Sequence, residues 1–198
     1  EVFSTAIEGN RDGIVYSVAS RNLRKAIEFG KKHSCSRVYG KYKDMINDKS
    51  LNLDVIYIAT PVKYHYDNIK QCLLTGKNVL CEKPITSTAS QLEELMVLAK
   101  EKGCFLMEGM WMKCLPTFHK AMKMISDGEI GDIQLIKVDF YKRERIRPEM
   151  SIYNAEEEGG VLKDYGVYAI SFATSFLGGL PDTIVANART STFDIDTD

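Results

Sequence analysis

Several features that announce a specialised protein class are missing from this sequence. Its 198 residues include five cysteines, an odd number, scattered and without a Cys-x-x-Cys pair. That spacing argues against a disulfide framework or a zinc site. Cys35, Cys72, Cys81, Cys104 and Cys114 therefore read as reduced, mostly packed thiols of a cytoplasmic protein. Charge of one sign is not in excess: 26 Lys and Arg face 27 Asp and Glu, for a net charge of -1. A chain so balanced has no general field for holding nucleic acid or an anionic membrane. No apolar run reaches the roughly 18 residues of a spanning helix. No charged-then-apolar secretory leader opens the sequence, and neither an internal repeat nor a low-complexity tract occurs. What is there is 44% hydrophobic, enough for one good core or two small ones.

The first two-thirds alternates between short β-branched runs and longer amphipathic stretches. Residues 14–19, 37–39, 53–59, 78–81 and 104–107 are expected strands. The 53–59 run is nearly continuous in apolar residues, as in a parallel strand covered on both faces. Leu23 to Lys32, 64–74 and 87–102 are expected helices, the last two ended by Gly76 and Gly103. Residues 1–7 resemble the tail of a helix. This βαβαβ rhythm predicts a doubly wound, parallel α/β sheet. The rhythm changes after Pro116. A helix over 117–126, an alternating strand over 133–141, a charged loop over 143–158, a buried helix over 160–177 and a strand over 183–193 follow. They suggest a second domain with an antiparallel sheet. The expected division is 1–114 and 115–198.

Doubly wound sheets bind ligands beyond the carboxyl ends of their strands, so the residues after each strand are the candidates for chemistry. Ser20-Arg21 follows the first. In a dinucleotide-binding sheet a hydroxyl plus a guanidinium suits a ribose 2′-phosphate, which favours NADP over NAD. The same pair also reads as a helix N-cap and a surface Arg. Thr60-Pro61 follows the strong strand, with His65 four residues on, either facing a cofactor or structural. Glu82-Lys83-Pro84 follows the next strand. A Lys there can hold a substrate hydroxyl and bias its proton; alone, the tripeptide is a turn with a surface ion pair, and Pro84 can fix a cis geometry. Asp164 and Tyr168 are spaced i, i+4 and share a helix face. An Asp in an apolar helix is costly unless paired or functional, and a phenol beside an ammonium is a sensible proton donor to a carbonyl. The alternative is a backbone-bonded Asp164 and a packed Tyr168.

These segments, in this order, resemble the Gfo/Idh/MocA oxidoreductase family. The matching residues are Val18-Ala19-Ser20-Arg21, Ala59-Thr60-Pro61 with His65, Leu80-Cys81-Glu82-Lys83-Pro84, Met107-Glu108-Gly109-Met110-Trp111, and the run from Gly159 to Tyr168. The Trp111 and Gly159 segments are most similar to the branch of dihydrodiol dehydrogenases and NADP-linked sugar dehydrogenases. The resemblance implies a Rossmann-like nucleotide-binding domain followed by a domain on an open, mostly antiparallel sheet. It implies hydride transfer between a nicotinamide and a secondary alcohol or carbonyl of a sugar or cyclic diol, in a protein that is a homo-oligomer, dimer or tetramer, when intact. It implies that Lys83, Asp164 and Tyr168 are catalytic, Tyr168 standing where many relatives carry His. It implies that Ser20, Arg21, Thr60, Pro61, His65, Glu82, Lys83, Trp111 and Lys113 contact the cofactor. NADP is the expected cofactor, NAD the alternative, and no metal is implied. Lys113 stands where related sequences often carry Arg, a point charge in place of a bidentate fork.

Two family features are expected beyond this chain: a first strand with its Gly-x-Gly-x-x-Gly turn before Glu1, and further sheet after Asp198. Gly9 and Gly13 precede a strand and do not substitute for that turn. These 198 residues alone are therefore expected to bind NADP weakly or not at all. Titration with NADPH checks this, and micromolar affinity would refute it. A non-catalytic nucleotide or sugar sensor on the same fold is the competing reading; the joint presence of Lys83, Asp164 and Tyr168 favours the enzyme. A structural or interaction domain is a third. Arg143, Arg145 and Arg147 read either as contacts to a polar substrate or as a solvated loop.

Overall fold

A computed structural model describes residues 2–143, 147, 149–191 and 194–197. Arg145, Pro148 and the end of the expected 183–193 strand lie outside the described residues. In chain order the regular elements are α1 (Val2–Glu8), β1 (Ser17–Ala19), α2 (Leu23–Lys32), β2 (Arg37–Tyr39), α3 (Tyr42–Asn47), β3 (Ile56–Ile58), α4 (His65–Leu74), β4 (Val79–Cys81), α5 (Ala89–Lys102), β5 (Leu106–Glu108), α6 (Pro116–Ser126) and α7 (Val167–Leu177). The fold is Rossmann-like α/β. β1 and β2 pair in parallel, Ser17 opposite Arg37 and Ala19 opposite Tyr39. A second sheet has the order β3-β4-β5. Ile56 N–H donates to the Asn78 carbonyl and Glu82 N–H to that of Ile58; Val79 N–H donates to Phe105 and Gly109 N–H to Cys81. Partners climb together in both pairs, so this sheet is parallel too.

The chain forms two compact units. The first comprises the residues up to Ile56, Asp67–Val79 and Leu95–Leu106. Its helices are capped as their sequences dictate. Asn22 accepts from Lys25 N–H to open α2, and Lys31 and Lys32 lie at the negative end of the helix dipole. Gly30 sits inside α2 because a Cβ there would come within 2.6 Å of Val38; the missing side chain lets the helix settle on the strand. Gly76 and Gly103, at φ 72° and 63°, take the left-handed conformation that ends α4 and α5. Ile69, Cys72, Leu73, Val79 and Leu95 are fully buried. Burial pushes the Cys72 thiol up to about 12, which makes it packing material and not a nucleophile. Leu95→Ala is expected to cost about 2–5 kcal/mol, read as a lower urea midpoint at unchanged slope.

The second unit comprises Tyr57–Tyr66, Leu80–Glu94 and the residues from Met107 onward. Phe118 and Phe176 meet edge to face at 5.2 Å, and Phe172 lies 4.4 Å from Phe176. Three expectations need correction here. Residues 133–141 and 183–191 form no strand in the structure; Leu135, Tyr141, Ile184 and Val185 are exposed. The single antiparallel bridge in this part joins Thr190 to Asp196 among the described residues. Alternation creates a strand only where a neighbour takes its N–H and C=O groups. The expected 160–177 helix begins as a π-helical segment, Leu162–Gly166, before α7. α3 was not anticipated: its six residues are too short to display a helical period.

Candidate active site

The carboxyl ends of three parallel strands supply the site, all within the second unit. Ile56 and Ile58 of β3 are buried, and period-two alternation sends Tyr57 to the other face. β3 leads to Thr60 and Pro61, then to a 3-10 turn (Val62–Tyr64) and α4. β4 leads to Glu82-Lys83-Pro84, whose Lys83–Pro84 peptide is cis. β5 leads to Glu108 and Gly109. A Cβ on Gly109 would lie 3.2 Å from the Cys81 carbonyl, so glycine permits the two strand ends to approach. Glu108 Oε1 accepts from Ile85 N–H at 2.9 Å and ties down the turn beyond Pro84.

Lys83 is the centre of the arrangement. Its side chain is 11% exposed, and its ammonium donates to Asp164 Oδ1 at 2.5 Å and to the Asp164 carbonyl at 2.5 Å. One residue of the π-helical segment thus grips the ammonium with backbone and side chain together. Such one-turn widenings frequently accompany functional sites. Asp164 is 39% exposed, so solvent screens the pair; its contribution to stability is of order 1 kcal/mol, and its main effect is to orient the ammonium. The same ammonium lies 5.1 Å from the centroid of the Tyr168 ring. Tyr168 Oη accepts from Trp111 Nε1 at 3.1 Å, and its ring stacks on Phe140 at 6.1 Å and 12°. Lys83, Asp164, Tyr168 and Trp111 are therefore brought together.

The other expected residues divide. His65 is buried at 1% exposure, with Nδ1 2.9 Å from the Pro84 carbonyl and Nε2 2.6 Å from the Thr60 carbonyl. Both ring nitrogens are turned to backbone, between the turns that follow β3 and β4. Lys113 is exposed in the 3-10 turn Trp111–Cys114. Ser20 and Arg21 follow β1 in the first unit. The α2 cap is Asn22, not Ser20; Ser20 Oγ accepts from Asn22 N–H at 3.2 Å, and Arg21 is exposed. Arg143 and Arg147 are exposed as well. Sequence reading missed Tyr57 and Glu108 as site residues. The available signal was a phenol in an otherwise apolar strand, which needs a partner when buried.

A nicotinamide dinucleotide is tested by donor chemistry. A hydroxyl and a guanidinium after β1 suit a ribose 2′-phosphate, and Thr60, Pro61, Glu82 and Lys83 end parallel strands where such ligands lie. These residues fit the group. The sequence contains no Gly-x-Gly-x-x-Gly turn for the pyrophosphate.

Comparison with known proteins gives a consistent result. Residues 4–110 match the family profile "Oxidoreductase family, NAD-binding Rossmann fold", and residues 118–198 match the Gfo/Idh/MocA C-terminal domain. The chain is 34% identical over 180 residues to trans-1,2-dihydrobenzene-1,2-diol dehydrogenase of Xenopus tropicalis, covering 88% of this chain and 52% of that protein. Among solved structures it is similar to a 3-ketoreductase from Actinomadura kijaniata in complex with NADP and TDP-benzene, at TM-score 0.74 and 29% identity, over 88% of this chain and 52% of that one. Apo scyllo-inositol dehydrogenase from Lactobacillus casei shares the fold at TM-score 0.72 and 20% identity, over 89% and 51%. The chain spans about half the length of the relatives it matches.

Proposed function

The chain belongs to the Gfo/Idh/MocA family of oxidoreductases, and from that premise we propose that the whole protein is an NADP-dependent dehydrogenase or reductase acting on a secondary alcohol or carbonyl of a cyclic diol or sugar. The observation that carries this reading is the Lys83 ammonium held on Asp164 beside the Tyr168 phenol. The bound nicotinamide supplies or accepts the hydride. Ser20 and Arg21 would hold the ribose 2′-phosphate. Thr60, Pro61, Glu82, Lys83, Trp111 and Lys113 would border the cofactor.

Two of the three N–H donors of the Lys83 ammonium go to Asp164. The third is left for the substrate oxygen, which it orients and makes more acidic. Tyr168 Oη accepts from Trp111, so its own proton is left to donate. In reduction Tyr168 gives its phenol proton to the carbonyl oxygen and is left as the phenolate; in oxidation that phenolate takes the hydroxyl proton and returns to the phenol. Proton transfer from a positioned group contributes about 10²–10⁴-fold to rate. The balanced charge and the scattered cysteines support a cytoplasmic protein. The exposed apolar residues of the second unit support a homo-oligomer.

Turnover by the full-length protein tests the reading. NADP reduction with a panel of cyclic diols and sugars is expected, faster than with NAD. Arg21→Ala is expected to narrow that preference by about tenfold. Cofactor binding without turnover on any substrate would favour a sensor instead.

A further inference from the structure

We infer that Tyr57 is a positioning residue that keeps Glu82 from competing with Asp164 for the Lys83 ammonium. The inference rests on the catalytic role proposed above for Lys83. Glu82 precedes Lys83 in the chain, and its Oε2 accepts the Lys83 backbone N–H, so a second carboxylate lies at the root of the Lys83 side chain. Only one carboxylate can set the direction of the ammonium. In the structure the ammonium pairs with Asp164 at 2.5 Å. Glu82 is occupied elsewhere through both oxygens: Oε1 accepts the Tyr57 phenol proton, and Oε2 accepts Lys83 N–H at 3.3 Å.

The arrangement follows from register. Tyr57 and Glu82 sit on neighbouring strand ends, and Glu82 N–H donates to the carbonyl of Ile58. That register puts Glu82 and Tyr57 on the same face of the sheet, where the phenol donates to the carboxylate. Tyr57 is half-buried, and burial together with the bond to Glu82 pushes its pKa up. The phenol therefore stays a donor at neutral pH. Without it, Glu82 has an unsatisfied oxygen beside a cation, and charge-assisted pairing favours their union. The ammonium would then turn away from Asp164 and from the Tyr168 ring.

The test is a double-mutant cycle in the full-length protein, combined with crystal structures. Tyr57→Phe removes only the hydroxyl. It is expected to lower kcat roughly tenfold while KM moves less than about twofold. In a Glu82→Gln background, which has no competing charge, the same change is expected to lower kcat by less than about twofold. In the Tyr57→Phe crystal structure, Glu82 is expected at hydrogen-bond distance from Lys83 Nζ, and Asp164 is not. An equal loss of activity in both backgrounds would overturn the inference, as would Glu82 staying in place with Lys83 still on Asp164. Should the wild-type protein turn over no substrate, the proposed function fails, and the position of Lys83 in the Tyr57→Phe structure still decides this one.

Discussion

Lys83→Met in the full-length protein is expected to lower kcat/KM by about 10³-fold, a loss of roughly 4 kcal/mol of transition-state stabilisation. Methionine keeps the unbranched stem that packs at 11% exposure and deletes only the ammonium. Asp164, at 39% exposure, then finds water, so the fold is expected to survive. Cofactor affinity is expected to change only a few-fold, because the substitution leaves the 2′-phosphate contacts proposed for Ser20 and Arg21 untouched. Steady-state kinetics and NADPH fluorescence titration check both halves. Activity within tenfold of wild type would remove Lys83 from the chemistry.

Tyr168→Phe is the second large effect. The ring stays, so the stack on Phe140 and the proximity of the Lys83 ammonium are retained. What disappears is the transferable proton and the acceptor for Trp111 Nε1. Trp111 is 60% exposed, so water replaces that acceptor at little cost. The expected result is a fall in kcat of about 10²–10⁴-fold with KM nearly unchanged. A change confined to KM would make Tyr168 a binding residue only.

The first part of the fold was largely legible because its signals are local. Apolar runs bounded by polar turns marked every strand, although the hydrogen-bonded cores are shorter than the runs: β1 is Ser17–Ala19 and β3 is Ile56–Ile58. α2 coincides with the stretch read from its apolar spacing, and Gly76 and Gly103 end helices as their φ values require. The strands after Pro116 were not legible in the same way. Their alternation is real, but a strand is a relation between two segments, and residues 133–141 find no ladder partner among those described.

By itself the sequence determined the doubly wound α/β class, the βαβαβ order and the residues worth suspecting. It did so because side-chain period, glycine position and the placement of Lys83, Asp164 and Tyr168 are readable along one dimension. The tertiary structure decided which suspects meet. Lys83 and Asp164 are 81 residues apart and touch at 2.5 Å; the resemblance groups them with Tyr168, and the fold supplies the contact itself. The sequence leaves His65 open between a cofactor contact and a structural role, and packing sets its two nitrogens against the carbonyls of Thr60 and Pro84. Tyr57 looked like strand filling until strand register set it against Glu82. Hydrogen-bond partners are fixed by where backbones cross, and that crossing is a property of the folded chain.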